Sequence, residues 1–244
     1  MALREEFESA GAWLFRRRSH LPLLVICFLV PVLPSAPLFT TMDRRSVIIW
    51  QAACCAVSCA GILVRIVAIG YAARRTSGKN TRAQVADALN TDGIYSTVRH
   101  PLYLGNLLIF AGVCLLPAVW WYAVILALAF WLYYERIMFT EEEFLRRKFG
   151  DAFTEWSART PAFLPRLSGW RRPQTRFSWK TVVRKEYPVV FATVSSFVLV
   201  LTLGRLITTR SFAPRSFWNV LFYAAAACYV IVRLLVKKSG LLRD

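Results

Sequence analysis

Five long stretches of the chain carry no charged side chain and are separated by polar or basic segments. A helix needs about 20 apolar residues to cross a hydrocarbon core of roughly 30 Å. Each stretch is therefore predicted to contain a membrane-spanning helix. The stretches are 19–42, 46–64, 101–134, 187–204 and 216–232.

The third stretch is too long for one crossing, because a single helix over 101–134 would measure roughly 51 Å at about 1.5 Å per residue. Pro117 lies near its middle, and the aromatic run 120–122 follows. Proline interrupts helices, and Trp and Tyr favour membrane interfaces. We therefore predict a tight hairpin of two short helices, 101–116 and 118–138, which brings the total to about six spans.

The distribution of basic residues predicts how these spans are oriented. The chain has 31 Lys and Arg against 14 Asp and Glu. With both termini in the cytosol, the outer loops would be 40–46, 117–121 and 206–215. These loops carry few cations, and cytosolic loops are normally the basic ones. The prediction is a multi-pass protein with both termini cytosolic. The outer cations are Arg44, Arg45, Arg210 and Arg215.

The composition supports one fold class and excludes others. Hydrophobic residues make up 57% of the chain, which excludes disorder. A nucleic-acid binder would fit the net charge of +17 but not the long apolar stretches. We predict an all-α, polytopic membrane helical bundle. The six cysteines lie inside apolar stretches without a CxxC pair, so neither a metal site nor a disulfide is expected.

The basic run Arg16–Arg18 before the first apolar stretch is similar to the start of a signal peptide. A cut after Ala36 would leave Pro37 at a poor position, and more spans follow. We therefore predict that residues 19–42 form a retained first span.

Two segments on the predicted cytosolic side, 72–100 and 139–186, are too long to be simple connectors. Chemistry with a water-soluble cofactor would take place there, so we expect the active site to face the cytosol. In the first segment, residues 82–89 favour a short helix. Arg99 and His100 precede Pro101, which suits the first turn of a helix. They are either an interfacial cap with a snorkelling cation or functional residues.

Gly105 and Gly112 lie seven residues apart, on one face of the third predicted span. Small residues at this spacing are common where helices pack in membranes. They would also leave room for a bound molecule, and the sequence allows both interpretations.

The second segment contains the acidic triplet 141–143. Thr140 and Glu143 fit a capping box, which would start a helix there. Glu135 and Arg136 close an apolar span, and ionisable residues at such depth are functional candidates. Beyond the triplet, a basic helix with an irregular apolar face is predicted to lie in the membrane interface until Pro161 ends it. That face consists of Phe144, Leu145, Phe149, Phe153 and Trp156.

Taken together, these motifs resemble the isoprenylcysteine carboxyl methyltransferase and phospholipid methyltransferase superfamily of integral membrane enzymes. The resemblance covers about residues 60–165. It rests on the order Gly93-Ile94-Tyr95, Arg99-His100-Pro101-Leu102-Tyr103-Leu104-Gly105, an apolar hairpin, Glu141-Glu142, Phe149-Gly150 and a closing Pro161 to Pro165.

The resemblance implies S-adenosylmethionine as the methyl donor. The chain has no GxGxxG motif, so a Rossmann-type cofactor site is not available. We divide the chain into a first span with its flanks (1–45), a methyltransferase core (46–166) and a basic linker with two further spans (167–244). The implied cofactor-binding residues are Tyr95, His100, Pro101, Leu102, Tyr103, Gly105 and Glu141. Part of the stretch Asp87, Ala88, Leu89 and Asn90 is also implied. Either Asn80 or Gln84 would add a polar contact.

The acceptor is expected to be a lipid or prenylated molecule that enters from the bilayer. A carboxylate or phosphate would need a cation, for which Arg99 and Arg136 are the candidates, because guanidinium pairs with either group through two hydrogen bonds. An amine would need a proton sink, for which Glu135 or Glu142 is available. Two rival hypotheses are an NADPH-dependent enzyme similar to membrane sterol reductases and a non-enzymatic transporter or scaffold.

Overall fold

A computed structural model describes residues 2–17, 28–73, 76, 86–211, 214 and 216–238. Over these residues it contains helices, turns and one isolated antiparallel bridge, which confirms the all-α prediction. Three short 3₁₀ turns occur at Leu33–Ser35, Ile94–Ser96 and Leu167–Gly169. The described helices are α1 (Leu3–Arg17), α2 (Pro37–Thr40), α3 (Arg44–Gly70), α4 (Pro101–Leu115), α5 (Trp120–Phe149), α6 (Asp151–Arg159), α7 (Trp179–Thr209) and α8 (Phe217–Lys238).

Four of these helices, α3, α5, α7 and α8, are long and apolar enough to cross a membrane. Helix α4 is apolar but has only 15 residues. It packs along α3 over the most extensive helix–helix contact of the described residues, while α7 packs against both α3 and α8. The protein is therefore a polytopic helical membrane protein, as predicted.

The predicted hairpin is present as α4 and α5. Its turn places Pro117 in the buried interior and Ala118 at a positive φ of 61°. Helix α5 runs well beyond the predicted end at residue 138, because neither Pro nor Gly interrupts the sequence before Gly150. At about 1.5 Å per residue its 30 residues measure roughly 45 Å. Its last turns therefore project past an apolar core of about 30 Å.

The acidic triplet 141–143 lies inside α5, so the predicted capping box at Thr140 is wrong. The Thr140 hydroxyl donates to the Arg136 carbonyl one turn earlier, at 3.0 Å, rather than capping a helix start. Glu143 is buried and pairs with Arg4 and Arg146. Because helix α5 ends at Gly150, whose φ is +51°, the predicted interfacial helix is divided between the end of α5 and α6.

The prediction of one continuous span over 19–42 is wrong for residues 28–42, the part that the structure describes. From Val30 the chain forms turns, a 3₁₀ turn and the four-residue α2, because prolines at 31, 34 and 37 interrupt the helix. This segment packs its apolar side chains into the core cluster that also holds Phe197 and Leu126. Residues 18–27, the rest of the predicted span, lie outside the described residues.

Helix α1 packs along the part of α5 that contains residues 133–147, a contact that the sequence did not predict. The Tyr133 hydroxyl donates to the Leu14 carbonyl at 3.1 Å, and Arg147 pairs with Glu8 at 2.6 Å. Gly11 allows this approach, because a Cβ there would lie 2.3 Å from the Arg136 carbonyl oxygen. One side of the end of α5 is therefore covered by α1.

Candidate functional site

The segment between α3 and α4 is held by the loop that follows α6. The backbone N–H groups of Arg99 and His100 donate to the carbonyls of Pro161 and Ala162 at 2.9 and 3.2 Å. Pro101 occupies the first turn of α4, as predicted. These bonds fix the backbone at Arg99 and His100, and the His100 side chain is buried.

His100 faces the acidic residues of α5. Its Nε2 lies 2.9 Å from Glu142 Oε1, and its Nδ1 lies 3.7 Å from Glu141 Oε2. Consecutive residues of a helix point about 100° apart, so the two carboxylates approach the imidazole from different sides. The structure thus brings together the histidine and both acidic residues of the predicted site.

Tyr103 extends this cluster by one turn of α4. Its hydroxyl donates to Glu141 Oε1 at 2.6 Å, and its ring stacks on His100 with the centroids 5.6 Å apart. The Tyr134 ring packs against Tyr103 with the centroids 4.8 Å apart. The predicted residues His100, Tyr103 and Glu141 therefore form one connected group. We call these three residues and Glu142 the carboxylate cluster.

Arg99 borders the carboxylate cluster on the side of α6. Its Nε lies 3.1 Å from Glu142 Oε1 in an ion pair, and its Nη1 donates to the Ser157 carbonyl at 3.1 Å. Among the described residues, the buried Nε–H has Glu142 as an ion-pair partner but no acceptor at hydrogen-bond geometry. Buried donors are nearly always satisfied in folded proteins, and an unsatisfied one next to a cluster of charges is a candidate ligand contact.

Tyr95 lies beside the same group. Trp156 Nε1 of α6 donates to the Tyr95 carbonyl at 3.1 Å. Burial raises the pKa of the Tyr95 phenol, the charge of Glu141 raises it further, and Arg65 lowers it. The net direction is upward, so the phenol keeps its proton at neutral pH and remains a hydrogen-bond donor.

The other predicted residues lie in different surroundings. Asn90 accepts from the Ala73 N–H at 3.0 Å and donates to the Thr76 hydroxyl at 2.9 Å, which ties the segment to the end of α3. Asp87 and Ala88 are exposed, and residues 86–90 form no helix. Leu102 is half-buried in the first turn of α4, beside the buried Pro101. Asn80, Gln84 and residues 82–85 of the predicted short helix lie outside the described residues.

Arg136 is not brought to the carboxylate cluster. It lies about 140° around α5 from Glu141, at about 100° per residue. Its guanidinium stacks over the Phe7 ring of α1 at 4.9 Å and donates to the Leu132 carbonyl at 3.1 Å. Glu135 shares a face with Glu142 but lies about two turns, roughly 10 Å, further along the helix.

Gly105 faces α3 rather than an open space. A Cβ at this position would lie 2.5 Å from Arg65 Cγ and 2.8 Å from the Gly61 carbonyl oxygen. Of the two interpretations of this glycine, the structure shows helix packing. Gly112 does the same one heptad later, against Ser58 and Cys54.

A buried ion pair behind the carboxylate cluster was not predicted. Arg65 of α3 and Glu186 of α7 pair through two hydrogen bonds of 2.8 and 2.7 Å, and Arg65 also donates to Asn106 of α4. A signal was present for Arg65 only, because it is the single charge between residues 46 and 70 and is expected to find a partner, whereas Glu186 directly follows Arg184 and Lys185. The sequence does not indicate which helices are neighbours, so the pairing could not be assigned. Within the described residues, no three His, Cys, Asp or Glu side chains are grouped as a metal site would require.

The fold and the site together define an integral membrane helical protein with a polar, carboxylate-rich site at the end of a helical hairpin. Residues 50–152 match the family described as phospholipid methyltransferase. This segment is therefore similar to the membrane methyltransferases that the sequence motifs resemble. It contains the whole of α4 and α5 with all four residues of the carboxylate cluster.

Three curated proteins are similar to this chain over part of its length. The cobalt-zinc-cadmium resistance protein CzcN of Cupriavidus metallidurans is 44% identical over 36% of this chain and 41% of its own length. The nickel-cobalt-cadmium resistance protein NccN of Alcaligenes xylosoxydans xylosoxydans is 36% identical over 51% of this chain and 56% of its own length. The protein-S-isoprenylcysteine O-methyltransferase of Schizosaccharomyces pombe is 32% identical over 32% of this chain and 33% of its own length.

The chain thus matches between a third and just over half of the length of these relatives. No solved structure shows significant similarity to it.

Proposed function

We propose that the chain is an S-adenosylmethionine-dependent methyltransferase that acts on a lipid or prenylated acceptor in the bilayer. The observation that carries this proposal is the carboxylate cluster, which lies within the segment that matches the methyltransferase family. The sterol-reductase and transporter hypotheses receive no support from the comparisons.

The residues present fit a cationic methyl donor. When bound, such a donor supplies a methyl group on a positively charged sulfur and also carries an ammonium group. Glu141, whose side chain is 25% exposed, offers a carboxylate to such a cation. Tyr103 and His100 hold this carboxylate in position, and the neutral Tyr95 phenol adds a hydrogen-bond donor.

Methyl transfer requires the protein mainly to align the methyl donor with the acceptor. In methyl transfer to a carboxylate or phosphate, an acceptor oxygen forms the bond to carbon while the carbon–sulfur bond breaks, and no proton moves. Alignment of the reacting groups alone is worth about 7–11 kcal/mol in well-oriented systems. The stacked rings of His100 and Tyr103 and the backbone bonds to residues 161 and 162 provide a rigid support for that alignment.

We assign the anionic group of the acceptor to Arg99. Its buried Nε–H makes no hydrogen bond within the described residues, and it lies beside the carboxylate cluster. Arg136 faces α1 instead. An amine acceptor would require a base, for which Glu142, close to His100, and the deeper Glu135 remain the candidates.

The proposal is tested with purified protein in nanodiscs, methyl-tritiated S-adenosylmethionine and a lipid extract from the host membrane. We expect label in a lipid-extractable product and saturable binding of the donor. Binding of NADPH without binding of S-adenosylmethionine would favour the sterol-reductase hypothesis. If neither cofactor binds, and if replacement of His100 affects nothing beyond folding, a transporter or scaffold is favoured.

We further propose that the site faces the cytosol. The loop and helix start around the site carry Arg166, Arg171, Arg172, Arg176 and Lys180, and basic loops are retained on the cytosolic side. Reporter fusions at residue 244 and within loop 206–215 are expected to give opposite signals, with residue 244 cytosolic. Identical signals at both positions would contradict the orientation.

A further inference from the structure

The Arg65–Glu186 pair joins the methyltransferase segment to a helix outside it. Arg65 lies on α3, whereas Glu186 lies on α7, beyond the matched residues 50–152. Arg65 Nε donates to Glu186 Oε2 at 2.8 Å and Nη2 donates to Oε1 at 2.7 Å. The two side chains are only 12% and 4% exposed. The pair is therefore a well-formed, buried, two-bond ion pair.

Stability alone does not account for such a pair. Two charges lose their hydration when they are buried, and replacement of a buried pair by apolar residues is often neutral or stabilising. Where two apolar helices nevertheless carry buried charges, a functional role is the first hypothesis. That role should be visible in what else the two side chains contact.

Arg65 contacts the back of the carboxylate cluster through two further residues. Its Nη1 donates to Asn106 Oδ1 at 2.5 Å, and Asn106 Nδ2 donates to the Tyr134 hydroxyl at 3.1 Å. The Tyr134 ring lies against Tyr103, whose hydroxyl holds Glu141. A continuous series of contacts thus runs from α7 through α3 and α4 to the acidic face of α5.

We infer that Glu186 is a positioning residue of the methyltransferase site, acting through Arg65, Asn106 and Tyr134 on Tyr103 and Glu141. The inference rests on the proposed function. It assigns α7 a role beyond membrane anchoring, because the carboxylate that orients Arg65 comes from this helix. Arg65 without Glu186 would have to turn towards another acceptor, and the Asn106 amide would lose its fixed orientation.

Two substitutions separate positioning from simple stabilisation. Glu186→Gln removes the charge that orients Arg65. Asn106→Leu leaves the ion pair intact but breaks the link to Tyr134. Thr193→Val is the matched control, because Thr193 is buried in the same helix and its hydroxyl bonds only the Val189 carbonyl of that helix among the contacts described.

The measurements are donor affinity by titration calorimetry with S-adenosylmethionine, steady-state kinetics and thermal unfolding. Coupling through packed networks changes affinities by about 2- to 30-fold. We expect Glu186→Gln and Asn106→Leu each to weaken the donor affinity by such a factor and to raise the KM for the donor. The KM for the acceptor should remain near that of Thr193→Val. Because both substitutions act on one series of contacts, the double variant should lose no more donor affinity than the more strongly affected of the two single variants.

The outcomes are distinct. If folded Glu186→Gln and Asn106→Leu both bind the donor like Thr193→Val and differ only in melting temperature, the pair is structural and the inference is wrong. If Glu186→Gln does not fold, Asn106→Leu alone decides between the two roles. If the wild-type chain binds no donor, the proposed function fails, and the inference fails with it.

Discussion

His100→Ala is expected to weaken the binding of S-adenosylmethionine by about ten- to a hundredfold, the equivalent of one lost charge-assisted hydrogen bond. The imidazole lies between Glu142 and Glu141 at 2.9 and 3.7 Å and stacks on Tyr103. Without it, the two neighbouring carboxylates are no longer bridged by an imidazole. The carboxylate that we assign to the donor would then lose its fixed position.

The measurement is calorimetric titration of the purified variant with the donor. Glu141→Ala removes a more exposed side chain and should give a loss of similar size without affecting the fold. Glu155→Ala is the matched control, since it deletes an exposed carboxylate from α6 outside the cluster. Unchanged affinity in both His100→Ala and Glu141→Ala would show that the donor binds elsewhere.

The parts of this fold that the sequence predicts are those that depend on local rules. The hairpin followed from the length of the apolar stretch and from Pro117, because these alone decide whether one helix can continue across a membrane. The meeting of His100 with Glu141 and Glu142 followed from a family motif, since 40 residues of intervening hairpin conceal the contact.

Local rules failed where several signals competed. Thr140 and Glu143 have the spacing of a capping box, yet the uninterrupted helix-forming sequence from Trp120 to Phe149 continues through them. Thr140 hydrogen-bonds within the helix, and Glu143 pairs with Arg4. A cap motif therefore predicts a helix start only where the preceding residues do not already form a helix.

Contacts between distant helices were beyond sequence reasoning. Arg65 and Glu186 are separated by 121 positions, and α1 covers a face of α5 more than 100 positions away. Periodicity identifies which face of a helix is apolar but not which partner covers it. For this reason Arg136 was predicted at the site, although its face of α5 is the one that packs on α1.

Arg99→Lys is expected to reduce the catalytic efficiency for the lipid acceptor by about ten- to a hundredfold, which corresponds to one lost charge-assisted hydrogen bond. Lysine keeps the charge but lacks the planar fork of the guanidinium and its Nε–H. In the described part of the chain that Nε is buried and lies 3.1 Å from Glu142 Oε1 in an ion pair without hydrogen-bond geometry. We propose that an acceptor carboxylate or phosphate pairs with the exposed part of this guanidinium, whose side chain is 18% exposed.

Arg136→Lys is the matched comparison, because the same chemical change is made on the face of α5 that packs against α1. Its guanidinium stacks on Phe7 and bonds a carbonyl of its own helix, so the lysine variant should keep near wild-type kinetics. Donor affinity should change little in either variant, which separates a defect in acceptor binding from a general loss of the site. Steady-state kinetics with the labelled lipid acceptor, together with donor titration, provides both values. If the loss appears in Arg136→Lys and not in Arg99→Lys, the acceptor's anionic group is held on the α1 side of α5, and Arg99 serves only to orient Glu142.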